Sequence, residues 1–352
     1  MRTLKKALSL VLVLAMVFAL AVPGFAANTT KKASDFKDYS KVTNKEAVDV
    51  LTAIGVINGN ADGTFNPEGS FTRAEAATMI TYLTLGKTVA DALPTSATKF
   101  SDVPATHWAA KYVQYCADAG IVNGVGDGKF DPDAKLTATQ WALMLLGALG
   151  YNAKNEGIGG NGWEIATTRL AMKAGVATAE ELTATFNRDM AAKFALNTLK
   201  ANVVEYESNG TNITIGDTTI STGASKAKAV TTTDSTIGGN IVADGVSTTV
   251  GSGTTTTYTL QFGEQHFPKL TLTAVVGTTA DKFGRPAAQW ANGSAIGTYA
   301  ATPVYTTTTV VTAHDLYNAL GLTSGTAGTV IAAANTFVNS VSSHAIVGGA
   351  DV

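Results

Sequence analysis

The chain has 352 residues and a mass of 36.1 kDa, a length that predicts two or three domains. It carries 25 basic and 27 acidic residues, and only 15% of its residues are charged. This composition excludes a nucleic-acid-binding protein, because such proteins need a strongly basic surface.

The first 26 residues have the parts of a secretory signal peptide. Arg2, Lys5 and Lys6 precede an apolar stretch at 8–22, and small residues follow at 24–26. Because the apolar stretch is short for a bilayer span, cleavage is favoured over an uncleaved membrane anchor. No later segment has the length of a membrane span, so we expect an exported protein without a membrane span after cleavage.

A single cysteine, Cys116, excludes an internal disulfide. It shares one face of a predicted helix with Tyr112 and Ala119, which predicts a buried and inert thiol. An intermolecular bridge and a nucleophile are the alternatives.

The stretch 44–85 predicts two helices joined by a structured loop. Apolar residues at helical spacing predict the first helix over 44–54, and Gly55 is placed to end it. The second helix is predicted over 72–85, and Thr72 with Glu75 forms a capping box at its start.

This helix–loop–helix unit is repeated along the chain. Its landmark residues recur at a constant offset of 65, so that Gly55 matches Gly120 and Thr72 matches Thr137. A third, weaker copy contains Gly175, and a Phe-Asn-Arg segment at 186–188. Because one such unit cannot bury its apolar face alone, we expect the three copies to pack as one domain.

Three segments of the first copy resemble the S-layer homology family: Gly-Val-Ile-Asn-Gly at 55–59, Phe-Asn-Pro at 65–67 and Thr-Arg-Ala-Glu at 72–75. The resemblance implies an all-α bundle of three helix–loop–helix repeats at 34–87, 99–152 and 160–201, the last degenerate. It also implies that the protein holds secondary cell-wall polysaccharide, often through a pyruvate ketal whose carboxylate meets the arginine of the Thr-Arg-Ala-Glu segment.

Capping explains Thr72 and Glu75, but it does not explain Arg73 at the first helical position, where a cation opposes the helix dipole. A guanidinium beside bare N–H groups suits a carboxylate. The resemblance implies that this carboxylate belongs to the glycan, which makes Thr72, Arg73 and Glu75 predicted glycan-binding residues. The second copy keeps the cap but has Ala138 in place of the arginine. The third copy keeps Arg188, which the resemblance makes a further predicted glycan-binding residue, and loses the glutamate.

A tryptophan stands twelve residues before the glycine in the second and third copies, at Trp108 and Trp163, whereas the first copy has Thr43. The resemblance implies that Trp108 and Trp163 stack on sugar faces of the glycan. Equally, each fills the core between repeats, and the sequence leaves both interpretations open.

Beyond residue 202, threonine and valine dominate and alternation replaces the helical period, which predicts a β-rich domain over 202–352. Strands are predicted at 203–206, 212–215, 258–262 and 270–276, arranged as a sandwich or an irregular barrel. The threonine run at 254–257 is predicted to form an exposed strand face, and short terminal helices are predicted at 314–320 and 329–341.

The sequence predicts no metal site, no cofactor and no catalytic site. The segment 58–63 resembles the start of a calcium loop, but Gly69 stands where a bidentate glutamate is needed. His107, His266, His314 and His344 are not at metal-ligand spacing. Glu264 and Asp281 form a hydrolase pair on one interpretation, and two solvated surface carboxylates on the favoured one.

We therefore predict a non-enzymatic, exported surface protein that is anchored to wall polysaccharide and associates with itself in a surface lattice. One alternative is a wall enzyme, a glycan hydrolase or amidase, anchored by the same repeats and with a site in 202–352. Another is a lattice-assembly protein whose repeats no longer bind glycan. The sequence also leaves open that the chain is part of a longer protein.

Overall fold

The computed structural model describes residues 31–95, 97–215, 218–250, 252–275 and 287–300, and four short strands between residues 330 and 347. The predicted signal at 1–26 and the predicted helix at 314–320 lie outside the described residues. In the part of the chain that the structure describes, no helix has both the length and the apolar character needed to cross a membrane.

The first part of the described chain is helical. Its α-helices are α1 (Lys45–Ala53), α2 (Arg73–Asp91), α3 (Ala110–Asp118), α4 (Ala138–Ala148), α5 (Trp163–Lys173), α6 (Ala179–Thr183) and α7 (Arg188–Lys200). Short 3₁₀ turns lie at Ala33–Asp35, Tyr39–Lys41 and Gly160–Gly162.

The helix ends follow the caps that the sequence predicts. Gly55 follows α1 with φ of 80°, the left-handed conformation that glycine adopts at little cost. The Thr72 hydroxyl accepts from the Glu75 N–H, and the Thr72 N–H donates to the Glu75 carboxylate. Helix α2 is longer than predicted, because the chain resumes a helix after a kink at Gly86 and continues to Asp91.

The helices pack in a cyclic order. Helix α2 packs on α3, and α4 packs on α5. The last of these helices, α7, packs on the first, α1. Near the centre, α4 contacts both α2 and α7. Trp141 of α4 is completely buried there and donates its indole N–H to the Ala191 carbonyl at 3.1 Å. The central position of Trp141 is not predictable from the sequence, because nothing in its local pattern distinguishes it from other helix residues.

The second part contains strands and one short helix, α8 (Phe262–His266). The strands are β1 (Val204–Glu205), β2 (Asn209–Ile215), β3 (Thr218–Ala224), β4 (Lys228–Ala229), β5 (Thr231–Thr232), β6 (Val246–Val250), β7 (Gly253–Thr259), β8 (Leu270–Val275), β9 (Ala287–Asn292), β10 (Ala295–Ala300), β11 (Val330–Ile331), β12 (Phe337–Val338), β13 (Val341–Ser342) and β14 (Ile346–Val347).

All described strand pairs are antiparallel, and the strands form separate sheets of two or three. The three-stranded sheets have the orders β10-β9-β8 and β5-β7-β6. The β-containing region is thus confirmed, whereas the predicted sandwich or barrel stays a prediction.

One predicted element is wrong, and another is only partly confirmed. Strands β11, β12 and β13 lie where a helix was predicted at 329–341, because Val, Ile and Phe in this stretch favour a pleated backbone. The strand predicted at 258–262 ends at Thr259, and Gln261 then forms a capping box with Glu264 that starts α8. The alternation of apolar residues in this stretch favoured a strand, so the capping box that starts α8 was not predicted.

The helical and β regions share one hydrophobic core. Leu199 of α7 belongs to the same buried cluster as Phe262, Leu270 and Trp290. The Trp290 indole N–H donates to the Glu46 carboxylate at 2.7 Å. The boundary predicted at residue 202 therefore marks a change in secondary structure within a continuous core.

Candidate functional site

The loops of the first two repeats are held by an aspartate at the start of each repeat. The Asp38 carboxylate accepts from the N–H groups of Phe65 and Asn66 at 2.8 and 2.7 Å. Asp102 accepts from Phe130 and from the residue after it, both at 2.8 Å. Each loop thereby presents the carbonyl of its phenylalanine in a fixed position.

Arg73 extends from the start of α2 into the loop of the second repeat. Its Nε donates to the Phe130 carbonyl at 2.7 Å, and its Nη2 donates to the Asn123 carbonyl at 2.9 Å. The guanidinium carbon lies 4.5 Å from the centre of the Phe130 ring, within cation–π range. Partial burial lowers the pKa of Arg73, while the charges of Asp131 and Asp102 oppose this shift.

The first backbone N–H groups of α2 are already used. The N–H of Arg73 donates to the Ala134 carbonyl at 3.0 Å, and the N–H of Ala74 donates to the Pro132 carbonyl at 2.9 Å. The Glu75 N–H donates to the Thr72 hydroxyl. The prediction of bare N–H groups beside Arg73 is therefore wrong, because the second repeat supplies the acceptors that a single-repeat interpretation cannot include.

Arg188 of the third repeat makes equivalent contacts to the loop of the first repeat. Its Nε donates to the Phe65 carbonyl at 3.0 Å, and its backbone N–H donates to the Gly69 carbonyl at 2.9 Å. Unlike Arg73, however, Arg188 forms an ion pair with Glu75 at 2.5 Å. One carboxylate thus caps α2 with Oε2 and neutralises Arg188 with Oε1.

The two arginines therefore differ in charge balance. Among the residues that the structure describes, Arg73 forms no ion pair. Its two hydrogen bonds occupy two of the five N–H groups of a guanidinium, and the other three have no acceptor there. The pairing of Glu75 with Arg188 was not predicted, because the two residues are 113 positions apart in the sequence.

The predicted tryptophans lie at the surface to different degrees. Trp108 is 58% exposed and stacks on His107, with ring centres 5.8 Å apart. The interpretation of Trp108 as a core residue is therefore wrong. Trp163 is half-buried at the start of α5. Stacking of either ring on a sugar stays a prediction.

The described candidate catalytic residues, Glu264 and His266, lie in environments that suit a structural role. Glu264 is completely buried and accepts from the backbone N–H groups of Ile241 and Gln261 at 2.8 and 3.2 Å, so the prediction of a solvated carboxylate is wrong for it. Burial raises the pKa of Glu264 and lowers the pKa of His266 to about 4. Asp281, the predicted partner of Glu264, lies outside the described residues.

Cys116 is buried, as predicted. Its surroundings raise the pKa of the thiol to about 12 through desolvation, so little thiolate forms at neutral pH. No group of three or more potential metal ligands comes together in the described part of the chain.

The geometry defines a class of protein built from helix–loop–helix repeats that insert an arginine into a neighbouring loop. The S-layer homology domain family matches residues 35–77 and 99–137. A cell surface protein of Thermoanaerobacter kivui is 34% identical over 151 residues, which are 43% of this chain and 19% of that protein. A surface layer protein of Brevibacillus choshinensis is 28% identical over 219 residues, 62% of this chain and 19% of that protein.

An endoglucanase of Bacillus sp. (strain KSM-635) is also similar, with 32% identity over 154 residues, or 43% of this chain and 16% of the enzyme. The chain spans about a fifth of the length of these relatives. The matches identify it as a surface protein that carries S-layer homology domains, located outside the cell at the wall or surface layer.

Proposed function

We propose that the protein anchors itself non-covalently to secondary cell-wall polysaccharide and that Arg73 binds a carboxylate of this glycan. The observation that carries the proposal is that Arg73 forms no ion pair among the described residues, while two backbone carbonyls and the Phe130 ring hold its guanidinium at the boundary of the first two repeats. A cation fixed in this way loses little side-chain entropy when an anion binds.

On this proposal, α1 with α2, α3 with α4, and α5 with α7 are the helices of three S-layer homology repeats, of which the third is degenerate, and each packed helix pair joins two neighbouring repeats. Only the first two are matched by the family. The closure of α7 on α1 and the insertion of Arg188 into the first loop support the assignment of the third.

The carboxylate site is proposed at Arg73 alone. Glu75 already neutralises Arg188, and Ala138 offers no cation. Thr72 and Glu75 support the site by capping α2, and Trp108 and Trp163 are retained as candidate stacking residues. A pyruvate ketal fits the required chemistry, because it carries a carboxylate on a sugar ring.

The non-enzymatic interpretation is part of the same proposal. The endoglucanase relative shares the repeat region and supports the alternative of a wall enzyme anchored by the repeats. Incubation of the chain from residue 27 on with purified wall sacculi distinguishes the two. Release of soluble sugar or peptide fragments would contradict the non-enzymatic function, and intact sacculi with bound protein are expected.

Binding is tested by co-sedimentation of the same chain with sacculi that retain or lack the secondary polymer. We expect binding only to the sacculi that retain it, and a weakening of about 10- to 100-fold in Arg73→Ala, the cost of a lost charge-assisted hydrogen-bond pair. Arg169→Gln, which removes the same charge from an exposed position on α5, is the matched control and should bind as the parent does.

A further inference from the structure

Strand β6 forms an open edge of its sheet. The sheet order is β5-β7-β6, so β7 pairs with one side of β6 and no described strand pairs with the other. All five residues of β6 are exposed, and Val246 and Val250 retain 66% and 79% of their surface. Every second residue of such an edge directs its N–H and C=O groups outward, where they can pair with another strand.

This edge lacks the features that usually prevent strand pairing. The stretch from Gly245 to Gly263 contains no charged residue and no proline. Strand β6 pairs with β7 in continuous register from Val246 opposite Thr257 to Val250 opposite Gly253, without a bulge. Charges, prolines and bulges are the common protections of edge strands.

The sequence of β6 is close to a palindrome. It reads Val-Ser-Thr-Thr-Val, so an antiparallel partner of identical sequence, centred on Thr248, places valine opposite valine and hydroxyl residue opposite hydroxyl residue. Alternation puts Val246, Thr248 and Val250 on one face, which would bury both valines against their copies. On the other face, the hydroxyls of Ser247 and Thr249 already form hydrogen bonds with the hydroxyls of Thr256 and Thr254 of β7.

We propose that β6 is a self-association surface that pairs antiparallel with β6 of a second copy of this chain, about a two-fold axis at Thr248. A second copy fits better than an unrelated strand, because the match of side chains comes from the strand itself. The part of the β7 edge that β5 leaves open contains only Gly253 and four threonines, so a partner there would bury less apolar surface. The proposal does not depend on glycan binding.

The first test is the concentration dependence of the molar mass of the chain from residue 27 on, measured by sedimentation velocity. We expect a monomer–dimer equilibrium in the parent, and its loss in Thr248→Lys, which places two ammonium groups opposite each other at the axis. Thr255→Lys adds the same charge to the same face on β7 and should preserve the dimer. A monomeric parent, or a Thr248→Lys variant that associates as the parent does, overturns the proposal.

The second test checks the register. In an antiparallel pair centred on Thr248, the Cα atoms of the two copies of this residue would lie about 4.5 Å apart, at a non-hydrogen-bonded position. This Cα–Cα distance is within the range that a disulfide spans. The two copies of Val246 would be about 13 Å apart along the strands. Mild oxidation should therefore cross-link Thr248→Cys into a dimer much faster than Val246→Cys. Equal rates, or no cross-linking at either position, would contradict the pairing.

The native Cys116 should not form a disulfide in this experiment. Its thiol is buried, and its pKa of about 12 leaves it protonated during oxidation near neutral pH. The circular dichroism spectrum of each variant identifies any loss of folding. Because Thr248 is exposed and has no buried partner to lose, we expect unchanged spectra.

Discussion

Arg73 and Arg188 start equivalent helices and enter equivalent loops, yet their surroundings give them different chemistry. Both donate Nε to a phenylalanine carbonyl of a neighbouring repeat. The Glu75 carboxylate lies beside Arg188 and neutralises it. Arg73 is half-buried like Arg188 but forms no ion pair among the described residues, which is why only this arginine is proposed to meet the ligand.

The ion pair of Arg188 with Glu75 is predicted to stabilise the contact between the first and third repeats. In Glu75→Gln, the amide oxygen still caps α2, as Gln140 does for α4, while the charge that faces Arg188 is lost. We expect the free energy of unfolding to fall by about 1 kcal/mol in urea titrations. Glu180→Gln, in the exposed first turn of α6, is the control for removal of a helix-start charge. Equal stabilities of the two variants would contradict a structural role for the pair.

The half-buried His266 is predicted to make the protein sensitive to acid. Its pKa in the folded chain is about 4, below the usual 6.5, because burial disfavours the imidazolium. The unfolded chain therefore binds a proton first as the pH falls, and the stability contributed above pH 6.5 is lost between pH 6.5 and 4. In His266→Gln, the loss of unfolding free energy over this interval should shrink by at most about 3 kcal/mol. Parallel pH profiles for parent and variant would show that His266 does not cause the sensitivity.

At the scale of elements, the kink in α2 depends on Gly86. Its φ of 70° and ψ of 157° lie in a region that is almost restricted to glycine. Since no atom lies within 4 Å of an added Cβ, substitution by alanine costs conformational energy alone. We expect Gly86→Ala to lower the unfolding free energy by about 1 to 3 kcal/mol.

Gly147 provides the matched comparison. It lies inside α4 with helical geometry, and an added Cβ would contact Ile121 at ordinary distances of 3.5 and 3.6 Å. Gly147→Ala should therefore be neutral or stabilise the protein by up to about 1 kcal/mol. Thermal and urea unfolding of both variants measure the contrast, and equal effects would show that backbone conformation is not the cause.

Features that depend on neighbouring residues were predictable from the sequence. The glycine ends of the helices, the capping boxes at Thr72 and Thr137, and the exposed threonine face of β7 follow from local stereochemistry. The helix predicted at 329–341 failed because apolar spacing in a short stretch fits both periods, and β-branched residues decide between them.

The candidate site was predictable only in part. Arg73 is conspicuous because its charge opposes the helix dipole, but its acceptors belong to residues 50 and 57 positions away. The same holds for the acceptors of the α2 N–H groups and for the partner of Arg188. Long-range packing of repeats decides these contacts, and a single sequence carries no direct signal for them.

At the scale of the whole molecule, the β9–β10 hairpin is joined to α1 by buried and half-buried polar contacts. The Trp290 indole N–H donates to Glu46, and the Tyr299 hydroxyl donates to the Asp49 carboxylate at 2.6 Å. The same carboxylate also accepts a hydrogen bond from the Tyr39 hydroxyl at 2.9 Å. Together with the shared core, these contacts predict that the helical and β regions unfold cooperatively.

We therefore expect one calorimetric transition, and we expect Trp290→Ala to lower the stability of the whole by about 3 to 5 kcal/mol through the cavity left in the core. Trp108→Ala, which removes the same side chain from a position 58% exposed, should leave the transition almost unchanged. Two separable transitions in the parent, with only one of them shifted by Trp290→Ala, would contradict a common core.

If the charge of Arg73 holds the protein on the wall polymer, co-sedimentation with sacculi should depend on this side chain. We expect the parent and Arg169→Gln to bind polymer-bearing sacculi alike, Arg73→Ala to bind about 10- to 100-fold more weakly, and stripped sacculi to retain none of the three. Equal binding of Arg73→Ala and the parent would contradict the claim.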